Sequence, residues 1–365
     1  MSGTVSATGA GNYGIMSSLI ADSETVSQRL SRLTEQASTG LVAQTYAGLG
    51  AGASVSLDLN PQVAELQTWQ NNINSATGTM QVTQTAMTQI QQIASNLVSQ
   101  IVSLQGADGS EVDSIAASAR NELQQVAGLL DTTDGTTYVF GGADSANPPV
   151  PSPDAILSSG FYTQISTAVG NLGVAGAAAT ASATLGIAAS NAPGTSPFSA
   201  YMSQPTATLQ SQIPVIQTGP GQTAQIGLLA SANTAVPSSG SSTTRSYMRD
   251  LMRALATVGS LQSSQQSDPG FQALVLDTST SLNGAISAMA EDTGVLGNEQ
   301  TALASQQTEM SNTAAALTTQ LSSAQDVDMA STLSNISLVQ TQLQASYQVI
   351  SGLSGLSLVK FLPVS

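Results

Sequence analysis

The chain has 365 residues, 41% of them hydrophobic, so it can bury a sizeable core, yet only 8% are Asp, Glu, Lys or Arg, against roughly a quarter in an average soluble domain. Its 22 acids face seven scattered bases, Arg29, Arg32, Arg120, Arg245, Arg249, Arg253 and Lys360, for a formal charge of −15, which argues against nucleic acid and an anionic membrane surface as partners. With no Cys and no His, thiol nucleophiles, disulfides, imidazole bases and most zinc or iron ligands are gone, and no catalytic residue, cofactor or metal site is expected.

Residues Met1 to Gly14 are small and polar, without the basic start and apolar stretch of a cleavable secretion signal. Export by a route that reads an uncleaved beginning is the expectation. No apolar run reaches the ~18 residues that a membrane span needs.

From Met16 to Ala37, steps of three and four fall on Met16, Leu19, Ser23, Val26, Leu30, Leu33 and Ala37, the a/d seam of a helix. Gly40 is placed to stop it, because glycine accepts the left-handed C-terminal conformation. After a flexible loop at Gly48 to Gly52, a longer helix is predicted beyond Pro61. Its seam is Leu66, Trp69, Ile73, Ala76, Met80, Thr83, Met87, Ile90, Ala94, Leu97, Ile101 and Leu104. A third helix carries Val112, Ile115, Ala119, Leu123 and Val126.

Between about residues 143 and 244 the register disappears. Pro148, Pro149, Pro151 and Pro153 mark a boundary. One hairpin is predicted, Ile213 to Gln217 with Thr223 to Leu229, and Val174 to Ala189 reads as low complexity. Pro237 to Thr244 reads as an exposed linker. A heptad register returns at Leu282, Ile286, Met289, Thr293, Leu296, Gln300, Leu303, Gln307, Met310, Ala314, Leu317, Leu321 and Ala324. A last seam runs through Met329, Leu333, Ile336, Gln340, Leu343, Tyr347 and Ile350. No terminal helix can bury its stripe alone, so the N-terminal helices are expected to pair with the C-terminal ones in a long antiparallel bundle. The fold class is therefore mainly α, with a small irregular α+β outer domain inserted in the middle.

Four features could suggest chemistry. Asp131 to Gly135 resembles a fragment of a calcium loop but lacks the alternating ligands and closing Glu, so it reads as a turn. Asp326 and Asp328 suit the start of the helix that follows. Gly48, Gly50 and Gly52 lack the Lys-Ser/Thr of a phosphate loop and read as a hinge. Trp69 falls on a seam and reads as core.

The stretch Arg29, Leu30, Ser31, Arg32, Leu33, then Ala37, Ser38, Thr39, Gly40, resembles the N-terminal helix and stop of the flagellin family. Asp326 to Ala330, then Gln340 to Tyr347 and onward to Leu358, resembles that family's C-terminal helix. Within the family, Gly135, Thr136, Thr137, Tyr138, Val139, Phe140, Gly141 and Gly142, followed by Pro148 and Pro149, are similar to the corresponding segment of the hook-associated branch that joins hook to filament. The loop Tyr46 to Gly50 departs from the acidic motif common at that place.

The resemblance implies a self-assembling structural subunit of the bacterial flagellum, secreted through type III export, and not an enzyme. The implied site is the hook–filament junction. The alternatives are the filament flagellin or, more remotely, a secreted coiled-coil effector. Implied partners are further copies of the chain, other axial proteins (hook-associated proteins and flagellin) and an export chaperone. The expected organisation is an assembly helix and hinge (1–60), two rod segments (61–142 and 245–324) around a variable outer domain (143–244), and a C-terminal assembly helix (325–365). The expected assembly interface is Met16, Leu19, Val26, Leu30, Leu33, Met329, Leu333, Ile336, Leu343, Tyr347 and Ile350.

Overall fold

A computed structural model of the protein describes residues 8–359. In chain order these form α1 (Thr8–Thr39), α2 (Gly52–Leu104), α3 (Gly109–Leu130), α4 (Gly160–Gly170), α5 (Leu172–Ala175), α6 (Ala177–Ala189) and α7 (Thr206–Ser211). A hairpin of β1 (Val215–Gly219) and β2 (Gln222–Gln225) follows, then α8 (Tyr247–Gly259), α9 (Phe271–Gln325) and α10 (Met329–Val359). The protein is mainly helical, as the periodicity requires. It divides into two compact units, a central one over Leu66–Ser311 and a terminal one that joins residues up to Glu65 with those from Asn312 onward.

In the central unit the α2 seam is buried from Trp69 to Leu104, including Thr83, whose hydroxyl donates to the Thr79 carbonyl at 2.8 Å. On α9, Leu282, Met289, Leu296, Leu303 and Met310 are buried in the same core. The amide of Gln307 donates to Asn74, and that of Gln91 to Thr293 at 3.1 Å. Rising numbers on α2 thus meet falling numbers on α9, and the two run antiparallel. Each large apolar side chain so enclosed contributes about 1.5–3 kcal/mol relative to exposure. α3 starts where the Asp108 carboxylate accepts from the Glu111 amide at 2.9 Å, an N-cap.

The helix α8 has all thirteen residues buried. Its final carbonyl, Gly259, accepts from the Arg120 guanidinium at 2.6 Å and the Tyr162 hydroxyl at 2.9 Å, which satisfies a helix end that water cannot reach.

Several sequence expectations change here. α2 begins at Gly52, so Pro61 lies inside it. The proline removes the bond to the Leu57 carbonyl, and with Leu57 53% exposed water can take that bond's place. Val174 to Ala189 is mostly helical, in keeping with the propensity of alanine, and buries Thr180, Thr184 and Ala188 at intervals of four. The first hairpin strand keeps its expected length but sits two residues later, the second is shorter than expected, and Pro220 and Gly221 connect them. The Leu229 end of the expected strand instead bridges to Gly141. The tract Pro237 to Thr244 is pinned rather than free. Ser238 is buried, the Thr243 hydroxyl and Thr244 amide donate to Asp250, and the Ser242 hydroxyl donates to Asp277. Residues 143–244 lie within the central unit and share its core.

Candidate assembly surface

The terminal unit is organised around the joint between α1 and α10. Gly40 ends α1 at φ 75°, in the left-handed region. The Val42 amide then donates to the Gln325 carbonyl at 2.7 Å, and the Val327 amide to the Gly40 carbonyl at 2.9 Å. α1 enters this joint by its C-terminus and α10 leaves it by its N-terminus, so the two paired helices run antiparallel. Asp328 caps α10, accepting from the amides of Ala330 at 3.0 Å and Ser331 at 3.2 Å. That is the helix-start role expected of the Asp326/Asp328 pair, carried here by Asp328, while Asp326 bridges to Leu41 through its backbone. Where α2 begins, a Cβ on Gly52 would stand 2.7 Å from the Ala324 carbonyl oxygen, so glycine is required for this approach.

The pairing covers little. Among the described residues of this unit the buried side chains are Ser23, Ser56, Thr332 and Val339, none of them large. Eleven of the seventeen exposed large apolar side chains of the described chain sit here, against six in the much longer central unit. α10 carries no charged residue at all. At about 3.6 residues per turn, Met329, Leu333 and Tyr347 line one flank of its covered face, and Leu338 and Val349 line the other. A helix with exposed apolar side chains on both flanks of its covered face has room for further neighbours, and α1 supplies only one.

The expected interface residues divide accordingly. Met16, Leu19, Val26, Leu30 and Leu33 are half-buried along one face of α1. On α10, Ile336, Leu343 and Ile350 are half-buried, whereas Met329, Leu333 and Tyr347 are 41%, 54% and 55% exposed. The covered row of α10 runs Thr332, Ile336, Val339, Leu343, Ser346, Ile350 rather than through Leu333, Gln340 and Tyr347. Small residues at 332, 339 and 346 admit close approach, and the larger side chains are left outside. The exposed Ile15, Ile20, Val55, Leu57, Leu338 and Val349 were missed by seam reasoning. Their signal is an apolar residue off the seam of an otherwise regular helix.

Residues 13–143 match the family described as the bacterial flagellin N-terminal helical region, and residues 280–362 match the bacterial flagellin C-terminal helical region. Together the matches span more than half of the chain and bring in both terminal helices. The chain belongs to the flagellin family. No curated protein matches it. Flagellins are structural subunits, not enzymes, and polymerise into the extracellular axial structures of the flagellum. No described helix is long and apolar enough to cross a membrane.

The polar clusters of this flagellin have structural partners. Arg249 on α8 donates to the carbonyls of Ser231 at 3.1 Å, Ala188 at 3.0 Å and Ser190 at 3.2 Å and to Asn191 at 2.7 Å, and it stacks over Phe198. It therefore caps the C-terminus of α6 from inside the core. Burial pulls its pKa down to about 10. Arg253 pairs with Asp277 at 3.7 Å. Asp292, fully buried, accepts from the amides of Thr234 at 2.8 Å and Ala235 at 2.7 Å. Asp131 ends α3 and accepts from the Val150 amide at 2.9 Å, while Asp134 closes a turn onto Thr136 and Thr137 and accepts from the Thr79 hydroxyl at 2.6 Å. The segment Asp131 to Gly135 is thus a helix-ending turn. Among the described residues no group of three or more acids is placed to hold a metal ion.

Proposed function

We propose that this flagellin-family chain is the subunit that joins hook to filament, and that it assembles through the apolar faces of α1 and α10. The faces are those of Met16, Leu19, Val26, Leu30 and Leu33, and of Met329, Leu333, Ile336, Leu343, Tyr347 and Ile350. The observation that carries the assembly reading is an uncharged α10 with apolar flanks that its own chain leaves open. Its neighbours would be further copies, the adjoining hook-associated proteins and flagellin. Before export, a chaperone would cover the same faces.

Support for the junction comes from the segment Tyr138 to Gly142 and its exit through Pro148 and Pro149. This segment is built into the core rather than looped out. Val139 and Phe140 are buried, the Phe140 carbonyl accepts from the Ala230 amide at 3.1 Å, and Gly142 sits at φ 57° against Leu229. Immunogold labelling of sheared flagella tests the assignment. Label confined to the point where hook meets filament is expected. Label along the whole filament would make the chain the filament flagellin, and unlabelled flagella would remove both.

A further inference from the structure

On the outer surface of α1, Arg29 and Arg32 lie one turn apart and both are exposed. Neither guanidinium has a hydrogen-bond acceptor or carboxylate partner among the described residues, where the single ion pair is Arg253 with Asp277. Glu35 stands one turn beyond Arg32 without bonding it. Beside Arg32 opens a cleft of about 330 Å³ lined by Glu35, Gln36, Thr39, Val42 and Gly48. On the opening turns of α2, in the same terminal unit, Asp58 and Glu65 are exposed seven residues apart, hence on one face of the helix. These carboxylates also lack a side-chain partner among the described residues, and the exposed Leu57 and Val55 flank Asp58.

From Asn312 to Val359 the only charges are Asp326 and Asp328, so among its described residues this unit keeps its charge on α1, on the start of α2 and on that short joint. A charge taken out of water without a partner is heavily penalised. Two bare arginines on a surface that packs against copies of itself therefore call for carboxylates from outside the chain. We infer that Arg29 and Arg32 of one copy form ion pairs with the Asp58/Glu65 face of a second copy, with Leu57 entering the cleft beside Arg32. The contact is heterologous, two different patches meeting, so it propagates from copy to copy instead of closing a pair. It also sets register: apolar flanks of α10 slide at little cost, whereas like charges brought face to face are rejected. The inference rests on the assembly reading above and names the charged part of that contact.

Charge exchange tests it in cells whose only copy of the chain is the full-length variant, by measuring the fraction recovered in sheared axial structures against the fraction shed into the medium. The variant R29E/R32E places acids against acids, and D58R/E65R places bases against bases. Each alone should be secreted but lose assembly by about tenfold or more. Co-expression of the two should restore assembly, since each then finds its complement, and so should all four changes in a single chain. Circular dichroism of the shed protein checks that the helices persist. Normal assembly of R29E/R32E alone, or losses that neither co-expression nor the fourfold variant restores, would overturn the inference and leave the assembly reading standing. Absence of the unaltered chain from axial structures would remove both.

Discussion

The central and terminal units are built from the same residue types and by the same heptad rule, yet they bury in opposite ways. The central unit encloses Ile73, Met80, Leu97, Leu123, Phe140 and Phe271 completely. Among its described residues the terminal unit encloses Val339 and three hydroxyl side chains. Two long helices packed along one stripe remove too little apolar surface to outweigh the entropy of ordering them. The first unit is thus stable by itself, and the proposed assembly would complete the second.

The largest expected effect comes from breaking the terminal side alone. Leu343→Asp puts a charge on the half-buried stripe of α10, and the same change recurs in every copy. Assembly should be lost altogether. Urea unfolding followed by Trp69, the sole tryptophan and a buried residue of the central unit, should stay where it is. Filaments of normal appearance with this variant as the only copy would show that the stripe is not a contact. Next comes the converse, Leu97→Ala, a fully buried side chain of the central seam. It should cost about 2–5 kcal/mol in the same Trp69-monitored transition, and an unchanged midpoint would contradict the core described here.

The smallest expected effect is on pH dependence, and it too belongs to the central unit. Burial pushes Asp131 up to about 6, so its proton is held more tightly in the folded chain than in the unfolded one. Lowering the pH from about 6 toward 3.8 should therefore add stability through this group. Asp134 behaves in the opposite sense. Burial would raise it, but the Thr79 hydroxyl and the Thr137 and Thr136 amides outweigh that and hold it at about 2. Its contribution is present above 3.8 and is lost as the pH falls toward 2. Both groups are partly solvated, so each contribution is well below its full linkage value. Asp131→Asn, which keeps an oxygen for the Val150 amide, should flatten the slope of Trp69-monitored stability between pH 4 and 6. An unchanged slope would reject the raised carboxyl.

Legibility from sequence followed the same division. The seams of α2 and α9 could be read residue by residue, because one face of each helix meets the core and the other meets water. α8 could not. Its apolar residues Tyr247, Met248, Leu251, Met252, Leu255 and Val258 recur at amphipathic spacing, so Arg249, Asp250 and Arg253 resemble a solvated face until the carbonyls and hydroxyls around them are seen, although the helix is buried on every side. The alanines of α6 look like low complexity although they form a regular helix whose last carbonyls Arg249 caps. On α10 the apolar residues spread over the covered row and both its flanks, so spacing alone does not choose between a row through Leu333 and Tyr347 and one through Thr332, Val339 and Ser346. The residues that hid the register of α10 are the same ones on which the proposed assembly rests.

Hydrogen exchange of the backbone amides, compared between the unassembled chain and the assembled structure, tests the central claim most directly. The account predicts that amides in residues 66–311 are protected in both states, whereas those of α1 from residue 14 to 39 and of α10 from 329 to 352 exchange quickly in the free subunit and become protected on assembly. Equal and strong protection of α1 and α10 in the free subunit would show that the terminal unit is complete without its neighbours, and would contradict the account.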